Sequence, residues 1–85
     1  MTETLYNGTK ARILVTEDYD ARADSEEFDF GITEEARGVA FYDVEELRDG
    51  EWWTYAALAA PLFDTKLRTA AAMEALRLAD EAEAL

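Results

Sequence analysis

EDYDARADSEEFDFGITEE, residues 17–35, sets nine carboxylates against one base, Arg22, a local charge of −8 in a chain whose total is −12. Inside this stretch Phe28, Phe30 and Ile32 alternate with Asp29 and Gly31. A period of two sends successive side chains to opposite faces of a strand, one face to the core and one to water. The alternation predicts a strand over about residues 27–33, with an acidic surface anchored to a sheet. Ahead of it, residues 17–26 read as an acidic loop, since Asp18, Asp20, Asp24 and Ser25 favour turns and only Tyr19 is large and apolar.

On the N-terminal side, Thr2 to Thr16 reads as a hairpin. Asn7-Gly8 is the preferred pair for a two-residue type I′ turn, because both positions need positive φ. That turn would set Tyr6 opposite Thr9 and Glu3 opposite Arg12, a cross-strand ion pair. In the second strand Ala11, Ile13 and Val15 share one face, with Lys10, Arg12 and Thr16 on the other.

On the C-terminal side, Thr33 to Gly38 reads as a capped turn, with Thr33 as N-cap and Gly38 as stop. Val39 to Tyr42 is apolar and β-prone. Asp43 to Gly50 allows two readings. Asp43 and Glu46 form a capping box with Gly50 as the terminating glycine, which favours a short helix. Alternatively, Asp49-Gly50 is a hairpin turn that places Leu47 opposite Trp52. The helix is preferred, because Val44 and Leu47 share helical spacing. For residues 51–60, the Trp52-Trp53-Tyr55 cluster favours strand and the following alanines favour helix. A helix covering both tryptophans is preferred to one tryptophan left exposed.

Asp64 is a good N-cap, and residues from Thr65 to about Ala84 should form one long helix. Leu67, Ala71, Ala75, Leu78, Ala82 and Leu85 make a stripe on a 100° wheel, while Met73 and Leu76 lie off it. A homodimer through Met73 and Leu76 is one expectation from that second face. Asp80, Glu81 and Glu83 oppose the helix dipole, so the last turns should fray. The fold expected is a single α+β domain over residues 1–85. An antiparallel sheet of three to five strands packs on the C-terminal helix, with Ile13, Val15, Phe28, Phe30 and Leu78 in the core.

Composition excludes much chemistry. With 85 residues and 49% hydrophobic content, the chain can build one modest core and is not of disordered type. It has no cysteine and no histidine, which removes thiol nucleophiles, thiolate metal sites and the commonest neutral-pH base. The only serine is Ser25, and the four glycines are isolated, so no phosphate-cradling loop exists. Asp18, Asp20, Asp24 and Glu26 fall at ligand positions of a calcium-loop frame, but Arg22, Ala23 and Asp29 stand where an oxygen ligand, glycine and glutamate are needed. No enzyme activity, cofactor or metal is expected. No apolar run reaches 18 residues, and MTETLYNGTKAR lacks the charged start and apolar block of a secretory signal. A cytoplasmic protein is expected, one that binds neither membrane nor nucleic acid directly, because a charge of −12 repels both.

A basic partner is the natural complement. Alternate strand residues lie about 6.6–7 Å apart, comparable with successive phosphates. A rigid acidic face could therefore occupy a groove that normally holds DNA or RNA. The expected contact residues are Asp18, Asp20, Asp24, Glu26, Glu27 and Asp29, and the expected partner is a basic nucleic-acid-binding protein. The composition looks like that of small acidic phage proteins that block restriction and CRISPR enzymes. EEARGV (residues 34–39) and LRDGEWW (residues 47–53) are similar to short stretches of a small type I-F anti-CRISPR family. They cover under a sixth of the chain, with a different spacing, and no residue roles are carried over. The competing expectations are a halophile's acidic domain without a charge-specific partner, and a dimeric adaptor or antitoxin-like module acting through the C-terminal helix. Residues 52–73 sum to +1, so the acidity is not spread evenly.

Overall fold

A computed structural model describes residues 2–23 and 36–85. Four strands and one helix follow in order: β1 (Thr2–Asn7), β2 (Ala11–Ala23), β3 (Ala36–Arg48), β4 (Glu51–Pro61) and α1 (Thr65–Glu83). The strands form one antiparallel sheet in the order β1-β2-β3-β4, and α1 packs on one face of it. The α+β architecture is the one expected. The expected strand over residues 27–33, and Phe28 and Phe30 with it, lie outside the described residues.

The helix side of the sheet follows the period of two. Ala11, Ile13 and Val15 from β2 meet Tyr42 and Val44 from β3 and Ala60 from β4 in one buried cluster. The helix adds Ala71, Ala75, Ala79 and Ala82 to it, while Leu67 and Leu78 pack at its margin. An alanine face lets the helix axis approach the sheet closely, so van der Waals contact is made mostly by methyl groups and backbone. Leu85 is exposed and leaves the stripe, and Ala79 takes part instead. Asp64 caps the helix as expected, its Oδ1 accepting from Leu67 N at 2.9 Å.

The local readings that failed did so where tertiary contacts outweighed local preference. Asp43–Gly50 is not a helix. It is the end of β3 and a two-residue turn, with Asp49 at φ 50° and Gly50 at φ 83°, pairing Leu47 with Trp52 and Arg48 with Glu51. Positive φ at both turn positions is the type I′ signature, and alternation then buries Val44 and Glu46 while Glu45 faces away. β4 runs through the alanines to Pro61, and on its helix side Ala60, with Ala56 at the margin, joins the buried cluster to which α1 contributes its alanines. Trp52 and Trp53 are not both covered: Trp53 is exposed, and Trp52 lies half-buried under the Arg12 guanidinium, 4.1 Å from its ring centroid.

The N-terminal hairpin exists in a different register. Asn7 pairs with Arg12 and Tyr6 with Ile13, with a shift at Leu5. Neither Asn7 nor Gly8 has positive φ. Glu3 does not meet Arg12, whose Nε donates instead to Glu45 Oε1 at 2.6 Å on the neighbouring strand. Gly8 leaves space for the ends of the Glu83 and Tyr6 side chains, which a Cβ there would displace. Ala36–Gly38 likewise belong to β3 rather than to a capped turn, and residues 33–35 lie outside the described residues. β2 continues to Ala23, so residues 17–23 are strand where a loop was expected. The final acids do not leave a frayed end: α1 runs to Glu83, Glu81 accepts from Tyr55 Oη at 2.7 Å, and Glu83 accepts from the Lys10 and Ala11 amides.

Candidate functional site: the acidic ribbon

β1 pairs with β2 only as far as Thr16, and β4 pairs with β3 only as far as Val39. Beyond that line, among the described residues, β2 and β3 continue alone, pairing Arg22 with Arg37 and Ala23 with Ala36. The beginning of the −8 segment therefore lies on a two-stranded ribbon that overhangs the sheet.

A bulge shapes the base of this ribbon. Between the pairs Asp18–Val39 and Arg22–Arg37, three residues of β2 stand opposite Gly38 alone. The surplus amides are satisfied locally: Asp18 Oδ1 accepts from Asp20 N and Ala21 N, each at 3.0 Å. Such a bulge bends the strand and re-aims its side chains. Gly38 sits at φ 87°, its carbonyl accepting from Leu62 N at 3.0 Å, and a Cβ there would press on the Leu62 side chain at 3.1 Å.

The bulge turns Tyr19 toward Phe63 in the β4–α1 connection. Their ring centroids are 6.1 Å apart at 55°, yet Tyr19 is 57% exposed and Phe63 76% exposed. Beneath them Glu17 is held by Arg68, whose Nη1 donates to Glu17 Oε2 at 2.8 Å and whose Nε donates to Tyr42 Oη at 3.0 Å. That hydrogen bond holds the Glu17 carboxyl below the usual glutamate range. Asp18 and Asp20 are exposed on the ribbon. Of the six expected contact residues, the structure thus brings Asp18 and Asp20 together, while Asp24, Glu26, Glu27 and Asp29 lie outside the described residues. The aromatic pair was missed from sequence, because nothing local links Tyr19 to a residue 44 positions later.

Elsewhere three arginines are held by the protein's own acids. Arg12 holds Glu45, Arg48 holds Glu46, and Arg77 holds Glu74 and Glu81. On the sheet face away from the helix, burial, helped by the nearby Glu45 charge, pushes the Asp43 carboxyl up. Among the described residues, no group of three or more acids is placed to hold a metal ion, and no helix is long and apolar enough to cross a membrane. What the ribbon end offers is negative charge beside two exposed ring faces, a combination that suits guanidinium and ammonium groups.

The chain matches no family model, no curated protein and no solved structure. Its functional reading rests on these side chains alone.

Glu17 and Asp43 predict opposite pH responses. The folded pKa of Glu17 is depressed, so its contribution is complete above the unfolded value and is lost as pH falls through the lower folded value. The folded pKa of Asp43 is raised, so its ionisation opposes folding, and acidification relieves that penalty. Urea midpoints from about pH 3 to pH 7 should separate them. Glu17→Gln should lower the neutral midpoint and flatten the acid limb. Asp43→Asn should raise the neutral midpoint. A lowered midpoint for Asp43→Asn would show that its charge is compensated in the fold.

Proposed function

We propose that this chain is a protein-binding inhibitor that presents its acidic ribbon to a basic protein which otherwise holds DNA or RNA. It would act in the cytoplasm by occupying a cationic groove, without catalysis, cofactor or metal, as small acidic phage proteins do against restriction and CRISPR enzymes. One observation carries the reading: the −8 segment begins on a ribbon that overhangs the sheet, with Asp18 and Asp20 exposed beside Tyr19 and Phe63. An overhanging ribbon can enter a groove that a flat sheet face cannot. Complementary charge would speed association and make it fall steeply with salt.

The test is competition with nucleic acid for a partner captured from host lysate at low salt and released at high salt. Asp18 calls for a gentle change, because its carboxylate also closes the bulge. Asp18→Asn combined with Asp20→Lys, Glu26→Lys and Glu27→Lys removes or reverses the charge while keeping an acceptor at position 18. This variant should lose competition by about 100-fold or more, the scale seen when several charge contacts of about 1–3 kcal/mol each are removed. Asp80→Lys, remote on α1, should compete like the parent. If the ribbon variant competes as well as the parent, the acids are a solvated surface of the kind a high-salt protein carries, and the reading fails.

One observation favours a second reading, the dimeric adaptor. Met73 is 66% exposed and Leu76 42% exposed on the outer side of α1, away from the alanine face. Their replacement by aspartate would abolish a dimer formed there.

A further inference from the structure

β4 is an edge strand: β3 pairs with one side of it, and among the described residues no strand pairs with the other. The phase of its hydrogen bonding can be worked out. Leu62 N donates to Gly38 O, so Gly38 and Leu62 face each other with their polar groups. Such pairs recur at every second residue of an antiparallel ladder. Ala40–Ala60, Tyr42–Leu58 and Val44–Ala56 are therefore the bonded pairs in this register. The N–H and C=O groups of Ala57 and Ala59 consequently point outward, away from β3. Pro61 fits the same phase, because the N–H it lacks would also point outward.

Sheets normally protect an edge by shortness, charge, proline or a bulge. β1, the other edge, is six residues long and broken by the shift at Leu5. β4 is eleven residues, EWWTYAALAAP, and from Trp52 to Ala60 it has no charged residue in a chain of −12. Its register shift lies at Tyr55, which leaves Ala56–Ala60 regular.

We propose that β4 is a self-association edge, on which a second copy of this chain pairs antiparallel about Leu58 to make a continuous eight-stranded sheet. In that register Ala57 meets the partner's Ala59 and Ala59 meets the partner's Ala57, so both outward amides and both outward carbonyls are satisfied in each copy. The two-fold axis passes beside Leu58, which gains an apolar cross-strand neighbour. Charge selects this arrangement over parallel pairing. The acidic ribbon lies at the Pro61 end of β4, and antiparallel pairing places the two ribbons at opposite ends of the double sheet. Methyl side chains at Ala57 and Ala59 flank the new ladder; Ala57 is exposed, while Ala59 is already largely buried in the single copy.

Sedimentation velocity over a concentration series tests the proposal. Sodium chloride at about 1 M shortens the Debye length to about 3 Å and removes long-range repulsion between copies. The parent should move from 9.6 kDa to twice that mass as concentration rises. Ala57→Pro and Ala59→Pro each delete an N–H that makes no bond to β3, and both should stay monomeric with the parent's circular dichroism. The Met73→Asp, Leu76→Asp double variant should dimerise like the parent. Independently of any variant, the Ala57 and Ala59 amides of the parent should gain hydrogen-exchange protection with concentration. A parent that stays monomeric throughout overturns the proposal. So does a dimer without protection at these two amides, or one lost in the helix variant and kept in the proline variants.

Discussion

Ile13→Ala should cost about 2–5 kcal/mol, at the upper end of that range. Ile13 is 0% exposed, lies between Tyr6 of β1 and Val44 of β3, and shares its cluster with the alanine face of α1. Large-to-small changes cost least where neighbours can collapse into the space. Here Ala11, Ala71 and Ala75 have no further atoms to move in, so the cavity stays open. A core of this size supplies only about 3–5 kcal/mol in all, so the variant should be largely unfolded at room temperature. Thermal melting followed by circular dichroism at moderate salt reads the result directly. A cooperative transition close to the parent's would place Ile13 outside the stabilising core. Leu76→Ala, on the exposed side of α1, should change stability by no more than about 0.5 kcal/mol.

Glu83→Ala should be the second costly change, about 2–3 kcal/mol, the scale of hydrogen bonds to a charged group. The Glu83 carboxylate accepts from Lys10 N at 2.7 and 3.1 Å and from Ala11 N at 3.0 Å. These bonds tie the last turn of the helix to the start of β2. Ala11 is fully buried, so its amide would be left facing a methyl group with no acceptor. Asp80→Ala, three residues earlier and exposed, should be nearly silent. Denaturation midpoints measure the loss, and faster hydrogen exchange at the Lys10 and Ala11 amides localises it. If Glu83→Ala melts with the parent and leaves those amides protected, the carboxylate is not what holds the loop.

The same contacts explain why the hairpin register was hidden in the sequence. Asn7-Gly8 is a strong turn signal, and it lost to Glu83, Glu45 and Trp52, which lie between 33 and 73 residues from the groups they hold. Glu83 takes the amides of Lys10 and Ala11, and Glu45 with Trp52 takes the side chain of Arg12. Asp49-Gly50 is an equally strong signal, and there it held, because Val44 and Glu46 needed the buried side of a strand. The candidate site divides in the same way. The acid cluster is plain in the sequence, as a run of carboxylates always is. The bulge at Asp18 and the pairing of Tyr19 with Phe63 are not, since each needs Gly38 and the β4–α1 connection brought alongside.

The sequence by itself determined the class of fold, the Asp64 cap, the helix from Thr65, the inward face of Ala11, Ile13 and Val15, and the concentration of charge between residues 17 and 35. These follow from capping chemistry, periodicity and composition, which act within a few residues. Only the tertiary structure decided the register of β1 on β2, the hairpin at Asp49-Gly50, the strand state of the alanines before Pro61 and the overhang of the acidic ribbon. Each depends on which surfaces meet: an alanine helix face that lets the sheet approach closely, and distant carboxylates that capture amides and guanidinium groups that local pairing had claimed.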